Sequence, residues 1–136
     1  EALRAAGNEY GAATGRPRRV GPFDIVASRY GVLMQGASEL ALTKMDVLSY
    51  LDQIPVCVAY DVEGEKIDYF PIGDKLNKAK PVIEYLPGWK CDISGCRTLA
   101  DLPQEARNYI DNIEKAMDCP ITYISVGAQR EAIIIR

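Results

Sequence analysis

The chain has 136 residues, 48% of them apolar and 26% charged, which suits one domain with a core of its own. Its formal net charge of −3 opposes bulk nucleic-acid binding, and no apolar run approaches the roughly 20 residues of a helical membrane span. Histidine is absent, so neither a Ser-His-Asp nor a Cys-His catalytic unit can be assembled from these residues.

In chain order, residues 7–21 are rich in Gly, Arg and small side chains and read as a loop. Pro22 stands where a helix would begin, and Asp24 falls in its first turn. Val26, Ala27, Tyr30, Leu33 and Met34 recur at helical spacing, so a helix is predicted over 23–35, ending near Gly36. Leu40, Ala41 and Leu42 read as a buried strand delivering the polar residues Thr43 to Asp46 at its end, with a short helical turn over 46–52. Val56 to Tyr60 is a strand, Asp61 to Glu65 turns around Gly64, and Lys66 to Phe70 returns as the second arm of a hairpin. Pro81 to Tyr85 is a third strand, stopped by the segment Leu86 to Trp89. The clearest helix follows Asp101, with Pro103 in its first turn and Leu102, Ala106, Tyr109, Ile110, Ile113 and Met117 on one face. Cys119-Pro120 ends it, and Ile121 to Ile124 and Ala132 to Ile135 are two further strands that could pair. The order predicts a single α+β domain over 1–136, with mixed and antiparallel strands, hairpins and two main helices.

Cys57, Cys91, Cys96 and Cys119 offer one close pair and no histidine, so no zinc site is assembled and the thiols read as reduced, as in a cytosolic protein. No metal ligand is assigned. The first residue is Glu1, not Met, which reads as a truncated or processed chain, and no secretory signal pattern is present.

Two segments carry chemistry. Residues 1–35 hold five arginines against three acids, and three of those arginines lie in Thr14-Gly15-Arg16-Pro17-Arg18-Arg19. Gly15 permits unusual φ and close approach of a ligand to the backbone, and Pro17 stiffens the loop. Guanidinium groups grip carboxylates and phosphates in bidentate fashion. The segment therefore reads as a site for acidic small molecules, or more plainly as a solvated basic loop. Thr43-Lys44-Met45-Asp46 has the [N/T]KxD form of guanine readers. A carboxylate there accepts both N1–H and the exocyclic amino hydrogens of guanine, a donor pair adenine lacks, and the lysine stem can lie over the base while its ammonium stays solvated. Four residues are a weak match, and a polar cluster at a strand end is the bland alternative. No GxxxxGK[ST] phosphate cradle accompanies it.

Gly11 to Arg19 resembles the GATTGRPRR signature of the adenylosuccinate synthetases. LALTKMDVL, VCVAY, YLPGW, DLPQEARNYI and a late SVG are similar in kind and order, and the resemblance spans essentially the whole chain. It implies the carboxy-terminal domain of a larger α/β enzyme, the amino-terminal phosphate-loop region with its catalytic residues lying outside these 136 residues. The implied reaction joins IMP and L-aspartate at the expense of GTP, with Mg2+, giving adenylosuccinate, GDP and phosphate. It is the first committed step from IMP to AMP, in a cytoplasmic homodimer without nucleic acid or membrane partners.

By the same resemblance, Ala12, Ala13, Thr14, Gly15, Arg16, Pro17 and Arg18 form the aspartate loop. Arg16 also reaches the IMP ribose and Arg18 the GTP. Lys44, Met45 and Asp46 hold the guanine, and Ser125, Val126 and Gly127 close over its other side. One position departs from the signature: Ala13 stands where the family has a second threonine, removing a hydroxyl from the loop. Two other readings remain at this stage. One is a stand-alone, non-catalytic guanine-nucleotide-binding module. The other is a small RNA-binding domain, which the acidic pI of about 5.0 opposes.

Overall fold

The computed structural model describes residues 1–136. Its elements are α1 (Ala2–Ala6), β1 (Phe23–Asp24), α2 (Ile25–Gln35), β2 (Leu40–Leu42), a 3-10 turn (Met45–Leu48), β3 (Gln53–Val62), β4 (Glu65–Ile67), α3 (Asp74–Lys78), β5 (Lys80–Pro87), a second 3-10 turn (Leu99–Asp101), α4 (Gln104–Met117), β6 (Ile121–Ser125) and β7 (Ile133–Ile135). The α+β class stands, with α2 and α4 as its main helices.

Two sheets share the work. β3 is the hub of the first: β1 runs parallel to it, while β4 and β5 are antiparallel. Its burial on both faces explains why. Ile54, Val56, Cys57, Ala59, Tyr60 and Val62 are buried, and a strand rich in β-branched and aromatic residues packs well on a pleated surface. The predicted hairpin forms through Gly64, at φ +93°, with Asp61 Oδ1 accepting from its N–H. Its second arm is shorter than predicted, since β4 ends at Ile67 and Tyr69 is exposed.

The second sheet has the order β2-β6-β7, with β2 parallel and β7 antiparallel to β6. The last two predicted strands do pair. β2 was expected to be buried; instead Leu40 and Leu42 are half-buried and Ala41 exposed, because β2 has a neighbour on one side only.

The larger core lies where α4 meets both sheets. Ala106, Tyr109, Ile110, Ile113 and Met117 of α4 are all buried there, as the helical period predicts, against Ile54, Val56, Ile121, Ile124 and Ile134. The helix starts only at Gln104, so Leu102, also buried, and Pro103 lie ahead of it in extended backbone. A second, smaller cluster of Val26, Cys57, Tyr60, Val62 and Ile67 fills the space on the other part of β3. All four cysteines are free, and no helix is long and apolar enough to cross a membrane.

α2 departs from expectation twice. It begins at Ile25, because Phe23 and Asp24 pair with β3 and Asp24 caps the helix, its Oδ1 accepting from Ala27 N at 2.9 Å. It packs through Ile25, Val26 and Val32, leaving Leu33 and Met34 in solvent at 69% and 65% exposure. Gly36, at φ +60°, then ends it in the left-handed conformation.

Two tyrosines make the fold sensitive to alkali. The Tyr60 hydroxyl donates to Asp24 Oδ2 at 2.5 Å, and burial together with that carboxylate raises it above the usual phenol range. Burial beside Trp89 pushes Tyr109 up to about 12. Below pH 10 both groups are protonated in the folded and unfolded chains alike. Above it the unfolded chain ionises first, so stability falls as pH rises towards the folded value. Tyr109 alone is expected to remove about 1.4 kcal/mol per pH unit between 10 and 12. Urea midpoints across that range check this, with Tyr109→Phe expected to flatten the slope.

Candidate functional site

Gly11 N donates to Arg16 O, Gly15 N to Gly11 O and Arg18 N to Glu9 O, each within 2.8–2.9 Å, and Tyr10 bridges to Pro17. The arginine loop is thus a tight, hairpin-like excursion. Gly15 supplies the positive φ it needs, at +64°. Thr14 Oγ1 accepts from Arg16 N at 3.3 Å. Ala12 to Arg19 are all exposed, so the guanidinium groups stand at the surface. Neither Arg16 nor Arg19 has a carboxylate within ion-pair reach.

The base segment follows directly from β2. Lys44 adopts φ +61°, reversing the chain into the 3-10 turn. Met45 is buried in the larger core and anchors that turn, while Asp46 is half-buried in its first position after the anchor. The turn packs against both α1 and β6. β6 carries Ser125, whose hydroxyl donates to Gly127 O at 3.0 Å. Val126 is fully buried, its N–H bonded to Ala132 O at 2.9 Å. At Gly127 an added Cβ would meet Ala132 Cβ at 3.0 Å, so this turn has little room for a side chain.

Arg18 and Lys44 converge on one acid that the sequence did not single out. Glu9 Oε2 accepts from Arg18 Nη1 at 3.2 Å, and Glu9 Oε1 accepts from Lys44 Nζ. Lys44 Nζ also donates to Gly7 O at 2.9 Å. The Lys44 ammonium foremost, then the Arg18 guanidinium, holds the Glu9 carboxyl below the usual carboxylate range against the opposing effect of partial burial. α1 braces the same point: Arg4 Nε donates to Arg18 O at 3.0 Å.

Beside this junction lies an open cavity of about 560 Å³, lined mainly by apolar side chains, among them Val47, Leu51, Ile54 and Tyr109. Glu9, Arg19, Lys44 and Met45 line part of it. Asp46, Arg16, Arg18 and Ser125 to Gly127 are not among its walls, so the cavity takes in Lys44 and Met45 of the sequence-predicted base site but not the rest of it. No grouping of three or more His, Cys, Asp or Glu side chains is placed to hold a metal ion.

The profile of the adenylosuccinate synthetase family matches residues 1–134. Adenylosuccinate synthetases of Prochlorococcus marinus strains MIT 9301 and MIT 9312 are each 49% identical over 130 residues, covering 95% of this chain and 30% of theirs. The solved structure of fully ligated adenylosuccinate synthetase from Plasmodium falciparum superposes with a TM-score of 0.93 at 38% identity, covering 99% of this chain and 33% of that one. The chain thus spans about 30% of the length of the curated relatives it matches. With nearly every residue matched in sequence and in fold, the chain belongs to the adenylosuccinate synthetase family.

Proposed function

We propose that these residues serve as the carboxy-terminal part of an adenylosuccinate synthetase, which ligates IMP and L-aspartate with GTP and releases GDP and phosphate. The reading places the protein at the committed step from IMP to AMP, in a cytoplasmic homodimer. The observation that supports it most is the meeting of Arg18 and Lys44 on Glu9. Residues from two segments, each read separately as a ligand site, lie within one hydrogen-bonded unit.

The chain's own contribution is binding and orientation. Arg16 and Arg19 have no acidic partner, so their guanidinium groups retain capacity for incoming anions. Ala12 to Arg18 would take the aspartate through backbone donors, the Thr14 hydroxyl and arginine charge, fixing the amine that attacks. Arg16 would also meet the IMP ribose and Arg18 the GTP. Lys44, Met45 and Asp46 would hold the guanine, with Ser125, Val126 and Gly127 on its far side. Holding reactants in attack geometry converts a bimolecular step into a unimolecular one, and that is the share these residues supply. Magnesium, which the family reaction uses, would offset phosphate charge when bound. This chain presents no ligand set that fits it, so no step is assigned through it here.

The test is turnover of the intact enzyme that contains this chain, with IMP, aspartate and GTP, following adenylosuccinate and GDP. Equal yields of the two products, with ATP a poor replacement for GTP, are expected. Absence of product with all three substrates and magnesium present would overturn the reading.

A further inference from the structure

Glu9 is held at both ends of its own backbone: its N–H donates to Arg4 O and its carbonyl accepts from Arg18 N, each at 2.9 Å. Its side chain is 19% exposed, whereas Lys44 and Arg18 are 51% and 58% exposed. The acid therefore lies beneath and the two cations lie outside it. Each carboxylate oxygen takes one donor, from Lys44 and from Arg18 respectively. Of the three donors on Lys44, one remains after Glu9 and Gly7 O; of the five on Arg18, only Nη1 is engaged. Both cations thus keep outward-facing donors while their positions are set from below.

We propose that Glu9 is a positioning residue that ties the guanine-reading segment to the aspartate loop, orienting Lys44 for the nucleotide and Arg18 for the substrates through a single buried-side carboxylate. This rests on the functional reading above. The carboxylate touches no substrate. It acts by restricting two long, flexible side chains before ligands arrive, which lowers the ordering loss on binding. The opposite role, a competitor that occupies the cations until a ligand displaces it, is disfavoured by the outward donors that stay free.

The two roles differ in sign. In the intact enzyme, Glu9→Gln keeps the shape and removes the charge. If Glu9 positions the cations, KM for GTP is expected to rise about 10-fold and KM for aspartate severalfold, with kcat within about twofold, as when ground-state and transition-state binding are lost equally. Glu9→Asp, which keeps the charge on a shorter stem, is expected to recover part of both. In a Lys44→Met background the further effect of Glu9→Gln on KM for GTP is expected to shrink to a few-fold at most, since one of its two coupled partners is already gone and only Arg18 remains.

A fall in either KM would make Glu9 a competitor and overturn the proposal. A rise confined to GTP, or full additivity with Lys44→Met, would overturn the tie between the two segments. Should Glu9→Gln not fold, Glu9→Asp beside Lys44→Met gives the same additivity test. A wild-type enzyme that makes no adenylosuccinate defeats the functional reading and this proposal together; an active enzyme indifferent to Glu9→Gln defeats this proposal alone.

Discussion

Asp46→Ala is expected to erase any preference for GDP over ADP, raising Kd for GDP about 100-fold and leaving that for ADP nearly unchanged. Two charge-assisted hydrogen bonds to guanine N1–H and its amino group, at about 1.5 kcal/mol each, amount to about 3 kcal/mol, hence the factor. Asp46 follows a buried anchor, Met45, and sits in a 3-10 turn whose direction is set by the left-handed Lys44. The backbone at Asp46 is thus held in place, and its carboxylate is left without a protein partner and free to accept from a base, where unpaired groups discriminate. Asp46→Asn should lose nearly as much, because an amide faces one guanine donor with another donor. Calorimetric titration with GDP and ADP decides it. Equal Kd values for the two nucleotides in the wild type would sink the assignment of Asp46 as base reader.

Gly88→Ala is expected to destabilise the chain by about 3 kcal/mol, at the upper end of overpacking losses. Gly88 closes the β3–β5 ladder, its N–H donating to Asp52 O at 2.9 Å. A Cβ there would fall far inside van der Waals contact with Leu51 O and lie 3.0 Å from the Leu51 carbonyl carbon and 3.1 Å from that of Asp52. All three are backbone atoms and cannot rotate away. The neighbouring Trp89 is buried, packed edge-on against Tyr109 at 5.9 Å, and donates to Ser49 Oγ at 3.0 Å. Displacing Gly88 therefore also disturbs the segment that carries Asp46. Gly95→Ala is the control: its Cβ would meet nothing within 4 Å, and a change under about 0.5 kcal/mol is expected there. Urea denaturation followed through Trp89, the only tryptophan, reads both; equal midpoints for the two variants would refute the packing account.

Sequence reading reached as far as its periodic signals reached. α4 was legible because apolar residues at helical spacing admit one buried face, and its five, Ala106, Tyr109, Ile110, Ile113 and Met117, are all buried. The β3–β4 hairpin was legible through Gly64, and β6 and β7 through their apolar runs. The parallel pairing of Leu40 with Ile121 had no local signature, since parallel strands are joined by long crossovers. α2 misled in part: of its predicted stripe Val26 is buried, but Leu33 and Met34 are left in solvent while Ile25 and Val32, off that stripe, share the packing. The short helices α1 and α3 have five residues each, too few to show a period. At the site, the arginine loop and the lysine–aspartate segment stood out by residue type. Glu9 did not: one acid among small residues says nothing until folding brings Arg18 and Lys44, at different distances along the chain, to its two oxygens.

The parallel β2–β6 pair also sets an order of events during synthesis. Leu40 to Leu42 leave the ribosome well before the strand they must lie beside, which begins only at Ile121. At about 5–20 residues per second, the partner emerges on the order of 4–16 seconds later. Until then the apolar residues of β2 have no ladder, and the lysine–aspartate segment hangs from an unpaired strand. The arginine loop, whose hydrogen bonds close within ten residues, is complete long before. One half of the candidate site is thus a local product of neighbouring residues, and the other waits for a strand about eighty residues further along the chain.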